Sequence, residues 1–564
     1  MNKLKKLTLL EVLNSSSKNF PENICVSVVN SPGITYREFK EKVDSVSSFL
    51  KSEGIIAGDK VAILSENMPN WGIAYFAITT IGAIAVPVMT EFSSTEVHHV
   101  LRHSESKAIF ISAKQFNKID DLEDGQIQTR VLIDDFAVIP ANTKQDLIKE
   151  VLTSGKKEFA KIKEAALKLV GLIPDTVEED TVALILYTSG TTGHSKGVML
   201  THKNVVSDAI STMQMVEINQ HTRMLSVLPL FHTMESTLGL VIPFMAGGSV
   251  TYIDKPPTAA VLLPALLKVR PTVMLVVPLL IEKIYKQKVL PEINKKALVR
   301  GLYKLPMIRK SINKMAGKKL MHTFGGELKM CCIGGASLAA DVERFLKEAG
   351  FPYAIGYGLT ETAPLVAGTN PQGVRLRSTG KALPGMQLMI DNPDPKNGEG
   401  EILIKSPSVM KGYYKDPEKT KEVLTPDGWF RSGDQGVIDK DGYLFIKGRS
   451  KNVIIGPNGK NIYPEEIESI INESKYVLES LVLQRDGKLI ARVFLNSDEI
   501  DQELRIQKIS ETHTREAIDK LLDDLLTHTN LQVNSFSRLN KIIEQREPFE
   551  KTPTQKIKRY LYVD

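Results

Sequence analysis

The segment Tyr187-Thr-Ser-Gly-Thr-Thr-Gly-His-Ser-Lys-Gly197 constrains this chain more than any other. It follows an uncharged apolar run at 182–186, which reads as a buried strand. The glycines let the backbone turn tightly and bring N–H groups toward an anion. The hydroxyls of Thr188, Ser189, Thr191 and Thr192 add donors, and Lys196 adds a positive charge. Chemically this is a phosphate cradle at the end of a strand. It is not a Walker loop, because Lys196 lies between Ser195 and Gly197, where that pattern has Gly before and Ser or Thr after.

The surrounding text supports α/β layering. Residues 60–65, 83–88, 107–112 and 130–133 read as short strands alternating with helical patterns. The stretch 71–89 carries no charge and is nearly long enough to span a membrane. Gly82 divides it into a helix at 70–81 and a strand at 83–88, Pro87 would interrupt a longer helix, and the flanking charges are Glu66 and Glu91. A buried helix running into a buried strand is the expectation. The Lys/Glu-rich stretch 144–170 has helical spacing. Residues 328–450 hold turn signals at Asp391-Asn392, Asn397-Gly398, Asp427-Gly428 and Asp441-Gly442, which predict a β-rich subdomain. Beyond 451 the texture changes: Arg485-Asp486-Gly487-Lys488 separates two apolar runs as a hairpin turn does, and 515–527 reads as a helix. With 564 residues, too many for one core, the expected division is a large domain at 1–450, a hinge at Lys451 and a small α+β domain at 452–564.

Charge is unevenly placed. The net charge is +6, yet residues 283–320 hold twelve Lys/Arg against one acid, Glu292, so the rest of the chain is mildly acidic. Leu298, Leu302, Leu305, Ile308, Ile312 and Met315 recur there at three- to four-residue spacing, interrupted at Pro306. That amphipathic basic pattern suits an anionic membrane surface, an acidic carrier protein, or a helical pair packing its stripe on the core. Aromatic interleaving of the kind that binds nucleic acid is lacking. The three cysteines make a disulfide framework implausible and a reducing cytosol the simpler setting; Cys331 and Cys332 read as small core residues. The N-terminal MNKLKKLTLLEVL has a short apolar run broken by Glu11, so no signal peptide is expected.

The 187–197 loop resembles the signature of the acyl-adenylate-forming superfamily, and further motifs follow in the family's order. Leu228-Pro-Leu-Phe-His232, Gly334-Gly-Ala-Ser-Leu338, Tyr357-Gly-Leu-Thr-Glu-Thr362, Trp429-Phe-Arg-Ser-Gly-Asp434, Gly448-Arg449, Gly459-Lys-Asn-Ile-Tyr-Pro and Lys551-Thr-Pro-Thr-Gln-Lys556 each resemble a family motif. The resemblance implies ATP bound by Thr188, Ser189, Gly190, Thr191, Thr192, Gly193 and Lys196. It also implies adenine between Gly335, Ala336, Tyr357 and Gly358, and ribose on Asp434 and Arg449. Thr360 would meet the α-phosphate and Glu361 would hold Mg²⁺. His232 would lie between the nucleotide and the acyl group, with Lys556 as the catalytic lysine, Lys451 as the hinge, and Gly459 and Lys460 beside the CoA channel. Departures are Ser195 for Pro, Ser432 for Thr, Asn452 for an acid and Gln555 for Gly. The Thr-Pro-Thr form at 552–554 resembles long-chain fatty acyl ligases. The implied reaction is activation of a fatty acid to acyl-AMP with release of pyrophosphate, then transfer to CoA. Transfer to an acyl carrier protein is the alternative acceptor. A non-catalytic lipid- or nucleotide-binding module is the reading from another class, and it would predict damaged motifs.

Overall fold

Two large sheets carry the N-terminal domain of the computed structural model. The structure describes residues 4–119, 122, 127–140, 143, 176–188, 196–294, 297–456, 461–506, 514–552 and 556–563. One sheet has eight strands in the order Gly412–Tyr413, Lys196–Thr201, Val182–Thr188, Ile84–Pro87, Lys60–Leu64, Ser106–Ile111, Thr129–Leu132 and Ala137–Ile139. Its centre is parallel and its outer pairs are antiparallel. The other sheet has seven strands, Tyr353–Ile355, Met330–Ile333, Val273–Val276, Arg223–Ser226, Ser249–Tyr252, Ile24–Val28 and Ile34–Thr35, parallel except for the last.

The uncharged stretch behaves as its sequence predicts. Pro69–Thr80 is a helix buried on almost every side, packing on strands of both sheets. Gly82 follows at φ +76°, a left-handed position that suits glycine, and the chain enters the strand Ile84–Pro87. Among the described residues no helix is long and apolar enough to cross a membrane.

The β-rich subdomain is a four-stranded antiparallel sheet, Gln387–Asp391, Gly400–Lys405, Phe430–Ile438 and Leu444–Arg449. Asn392, Gly398, Gly428 and Gly442, four of the turn residues read from sequence, have positive φ. The small C-terminal domain has its own core around Ile467, Ile471, Val482, Val493 and Leu525. Its hairpin Val477–Arg485 and Lys488–Leu495 turns at Asp486 and Gly487, both at positive φ as a two-residue hairpin turn demands. The helix there spans Thr514–Gln532, longer than the sequence pattern indicated, and it leads to a third strand, Lys541–Gln545, parallel to Lys488–Leu495. The helical pattern read at 144–170 lies outside the described residues.

The basic segment breaks where its sequence pattern is interrupted. Its apolar positions do not form one stripe, because Leu305 and Pro306 break the chain between the helices Ala297–Leu302 and Pro306–Thr323. Ile312 packs against the core, whereas Leu302, Leu305 and Met315 are exposed.

Candidate active site

The strands Val182–Thr188 and Lys196–Thr201 form an antiparallel hairpin in which Thr188 pairs with Lys196. Ser189, Gly190, Thr191, Thr192 and Gly193 lie outside the described residues, as do Gly459 and Lys460. The hairpin brings Thr188 and Lys196 to one wall of a cavity of about 3320 Å³ between the domains. The Lys196 ammonium stands 5.3 Å from the ring centre of Tyr413, and the Tyr413 hydroxyl donates to Glu361 Oε1 at 3.0 Å. Tyr413 comes from the edge strand beside Lys196–Thr201. No motif announced it, since its role arises only from that pairing.

The opposite wall is built on neighbouring strands. Asp434 and Arg449 are register partners, and Arg449 Nε meets Asp434 Oδ1 at 2.8 Å. Tyr357 Oη donates to Asp434 Oδ2 at 2.6 Å. Burial raises the Asp434 carboxyl above its usual range while Arg449 and Tyr357 pull it back. The Ser432 hydroxyl accepts from the Asp434 N–H and donates to Ile402 O, so the substitution of Ser for Thr keeps the hydroxyl that orients the acid. Gly358 is required sterically: a Cβ there would stand 1.8 Å from Pro364 O. Gly335, at φ +88°, and Ala336 line the same cavity, together with Thr360 and Glu361.

His232 faces the cavity beside Phe231, with ring centres 4.5 Å apart. Burial, reinforced by the charge of Lys556, pushes its imidazole down to about 4, so it is neutral at physiological pH. A clamp that sequence reading missed holds its loop. Asn67 donates through Nδ2 to Leu228 O at 2.6 Å and to Ser226 Oγ at 2.9 Å, and it accepts from Leu230 N at 2.8 Å. Ser226 in turn donates to Glu235, a fully buried residue whose carboxyl burial pushes up to about 8. Glu235 is therefore mainly protonated at neutral pH. It lies in the first turn of the wide-turned π-helical segment Met234–Val241 after His232, a departure from α geometry that often marks functional sites. Asn67 and Leu230 lie 163 positions apart, and no local pattern links them.

Lys556 enters from the small domain. Lys551 bridges Ile557, Lys556 N donates to Thr552 Oγ1 at 3.2 Å, and Lys556 lines the cavity. Desolvation and Arg449 lower its pKa, while Asp434 and Glu361 oppose them. Lys451, in the turn Ser450–Asn452, is pushed down to about 8 by desolvation and by Arg449, Lys556 and Lys196. Four cations thus converge with two carboxylates, the balance a polyanionic ligand would meet. The small domain is held in this orientation by Tyr463 Oη donating to Glu399 at 3.0 Å and Lys286 Nζ to Asn472 O at 2.8 Å, and within it, just past Lys451, Asn452 Nδ2 donates to Glu465 Oε1 at 2.6 Å. An aspartate at 452 would repel Glu465, so the departure at this position fits its partner.

The cavity also has apolar lining. Met215, Met224, Leu238, Leu275, Met330 and Leu365 contribute to it, and Cys332, expected in the core, is half-buried on the cavity wall, whereas Cys331 is buried. Among the described residues no group of three or more His, Cys, Asp and Glu could hold a metal. Glu361 is a lone carboxylate, a donor set that suits Mg²⁺ only when phosphate oxygens complete it.

The profile of the AMP-binding enzyme family matches residues 13–414. The chain is 29% identical over 499 residues to the long-chain-fatty-acid–CoA ligase heimdall of Drosophila melanogaster, covering 82% of this chain and 71% of that one. It is 28% identical to the long-chain-fatty-acid–CoA ligase FadD15 of Mycobacterium tuberculosis, over 93% of this chain and 90% of the relative. It is 26% identical to the chloroplastic long-chain-fatty-acid–[acyl-carrier-protein] ligase AEE15 of Arabidopsis thaliana, over 98% and 85%. Among solved structures, ATP-bound MatB from Rhodopseudomonas palustris superposes with a TM-score of 0.76 at 23% identity, covering 99% of this chain and 98% of the other. MenE from Bacillus subtilis with an acyl-adenylate gives 0.74 at 21%, covering 98% of each. The fold is therefore that of these enzymes. A cation-rich cavity closed by a small domain, together with a family profile spanning most of the chain, makes this protein a member of the AMP-binding enzyme family, an adenylate-forming acyl-activating ligase.

Proposed function

We propose that the enzyme activates a long-chain fatty acid to acyl-AMP and passes the acyl group to CoA. The observation that carries this reading is that one cavity is lined both by the cations Lys196, Arg449 and Lys556 and by the apolar side chains Met215, Leu238 and Leu365. A carboxylate whose alkyl tail lay against the apolar side chains could present its oxygens to the cations of the same cavity. Attack of that carboxylate on the α-phosphate joins two anions, so the barrier is largely electrostatic. Preorganised cations lower it in proportion to how well they are aimed.

In this reading Thr188, Ser189, Gly190, Thr191, Thr192, Gly193 and Lys196 hold the phosphates. Gly335, Ala336, Tyr357 and Gly358 hold the adenine, and Asp434 and Arg449 the ribose. Thr360 meets the α-phosphate. Lys556 neutralises the developing charge, and neutral His232 offers a hydrogen bond beside the acyl carboxylate without adding a proton charge. Glu361 would hold Mg²⁺, which when bound offsets phosphate charge. No protein nucleophile is needed, because the attackers are the substrate carboxylate and then a thiol. The nearness of Lys556 to Glu361 and Asp434 supports reading this arrangement of the domains as the one for adenylation. We assign 1–450 to the large domain and 452–564 to the small one, which turns about Lys451 to bring Gly459 and Lys460 beside the incoming thiol. The basic segment 283–320 is the part through which we propose this cytosolic enzyme meets its acyl source.

The test is ATP-dependent pyrophosphate release across carboxylates from acetate to oleate, with CoA or a carrier protein as acceptor. Turnover of oleate with CoA is expected. Activity on acetate but not oleate would overturn the long-chain assignment. The likeness to the Arabidopsis carrier-protein ligase supports a second reading, and thioester formed on the carrier alone would favour it.

A further inference from the structure

The long helix Pro306–Thr323 has two faces with different tasks. Its inner face packs on the core: Asn313, Gly317 and Leu320 are buried, and a Cβ at Gly317 would stand 2.5 Å from Ala349 O. Its outer face carries Met307, Lys310, Lys314, Met315 and Lys318 at helical spacing, all exposed. Met307 is 84% and Met315 70% exposed, and Leu305, at the corner with the preceding helix, is 52% exposed. An exposed apolar corner in a folded chain calls for a reason.

This corner is fixed in place. Tyr303 Oη donates to Asn313 Oδ1 at 2.8 Å, Asn313 Nδ2 donates to Glu348 at 2.8 Å, and Arg309 pairs with Glu348 at 2.8 Å. The brace holds Leu305 and Met307 outward. Lys304, Lys310, Lys314 and Lys318 around them make no ion pair among the described residues. The interdomain cavity also reaches this side of the molecule, where Lys283, Lys288 and Arg300 line its rim.

We propose that this corner is a docking surface for an anionic lipid bilayer, with Leu305 and Met307 entering the headgroup layer and the lysines of the outer helix face lying on it. This inference rests on the fatty-acid reading, for which it supplies the route: the acid leaves the bilayer beside the rim of the cavity that ends at Lys556. Charge complementarity selects the occupant, since a basic face with apolar tips binds an anionic interface through both terms at once. An acidic carrier protein would answer the lysines but not two outward apolar side chains.

The experiment uses the full-length enzyme with vesicles of phosphatidylcholine, alone or with phosphatidylglycerol, at two salt concentrations. Binding to the anionic vesicles at least tenfold tighter than to the neutral ones, weakened by salt, is expected. Lys310→Glu with Lys314→Glu and Lys318→Glu should weaken it at least tenfold, and Leu305→Ser with Met307→Ser severalfold. Both variants should keep pyrophosphate release with dissolved octanoate within twofold while losing rate on vesicle-borne oleate. Vesicle binding that neither variant alters overturns the proposal, as does capture by this face of an acidic carrier protein but not of vesicles. If the enzyme docks as described but activates no fatty acid, the substrate assignment falls and the surface stands. If it turns over octanoate and oleate alike without binding vesicles, the surface alone falls.

Discussion

The molecule holds cations in two settings. In the cavity, Lys196 lies against the Tyr413 ring, Arg449 pairs with buried Asp434, and Lys556 and Lys451 are pulled down by desolvation and by their cationic neighbours. On the helix Pro306–Thr323, Lys310, Lys314 and Lys318 stand in solvent. Residue type is nearly the same in both places. What differs is the company each charge keeps: inside, a cation is held where a specific anion must arrive, whereas outside it contributes to a field that any anionic surface can feel.

The comparison breaks first at Lys556. Lys556→Ala should lower acyl-AMP formation about 10²–10³-fold, measured as pyrophosphate release, while thioester formation from supplied acyl-AMP stays within severalfold. Equal loss of both half-reactions, with the fold intact, would remove the two-orientation mechanism.

The next largest effect belongs to the uncharged scaffold behind the site. Asn67→Ala frees the Leu228–Leu230 loop and should cut kcat for adenylation about tenfold to a hundredfold, with the KM for ATP little changed. Glu235 adds a pH signature. Its folded pKa of about 8 lies well above the ordinary carboxyl value of 4.5, so the unfolded chain loses this proton first. Stability is then lost as pH rises between those values, by a few kcal/mol at order of magnitude. Glu235→Gln, which stays neutral, should flatten that slope in thermal melts, and an unchanged slope would mean the carboxyl is ionised in the fold.

Asn452→Asp sets a second carboxylate against Glu465. It should lower stability by about 1 kcal/mol, read in thermal melts, and act on adenylation and on transfer from acyl-AMP alike. The smallest effect sharpens the contrast: reversing Lys310, Lys314 and Lys318 one at a time should change stability by less than about 0.5 kcal/mol. A single reversal that abolished turnover of a dissolved acid would mean that the two sets of cations are not separate.

Much of the fold was legible because it is written locally. The helix-glycine-strand passage around Gly82 and the hairpin at Asp486-Gly487 depend on residues only a few positions apart. The charged members of the site were legible through motif order. Tyr413, Asn67 and Ser226 were not, because their tasks exist only once distant strands pair or loops meet. The basic segment lay between these cases. Its charge and its interruption at Pro306 were plain, but which of its apolar positions face the core and which form an outer corner was not.

The sequence by itself determined the chemistry on offer: a glycine- and hydroxyl-rich turn after a strand, a fixed series of acids and bases, and an excess of positive charge in one segment. These are properties of short stretches, set by backbone freedom and side-chain type. Tertiary structure alone decided which of those charges face one another and which face water. It aligned Asp434 with Arg449 across a sheet, carried Lys556 over from another domain, kept Glu235 protonated by burying it, and turned Leu305 and Met307 outward. Burial and distance set the strength of a charge, and only the folded chain has either.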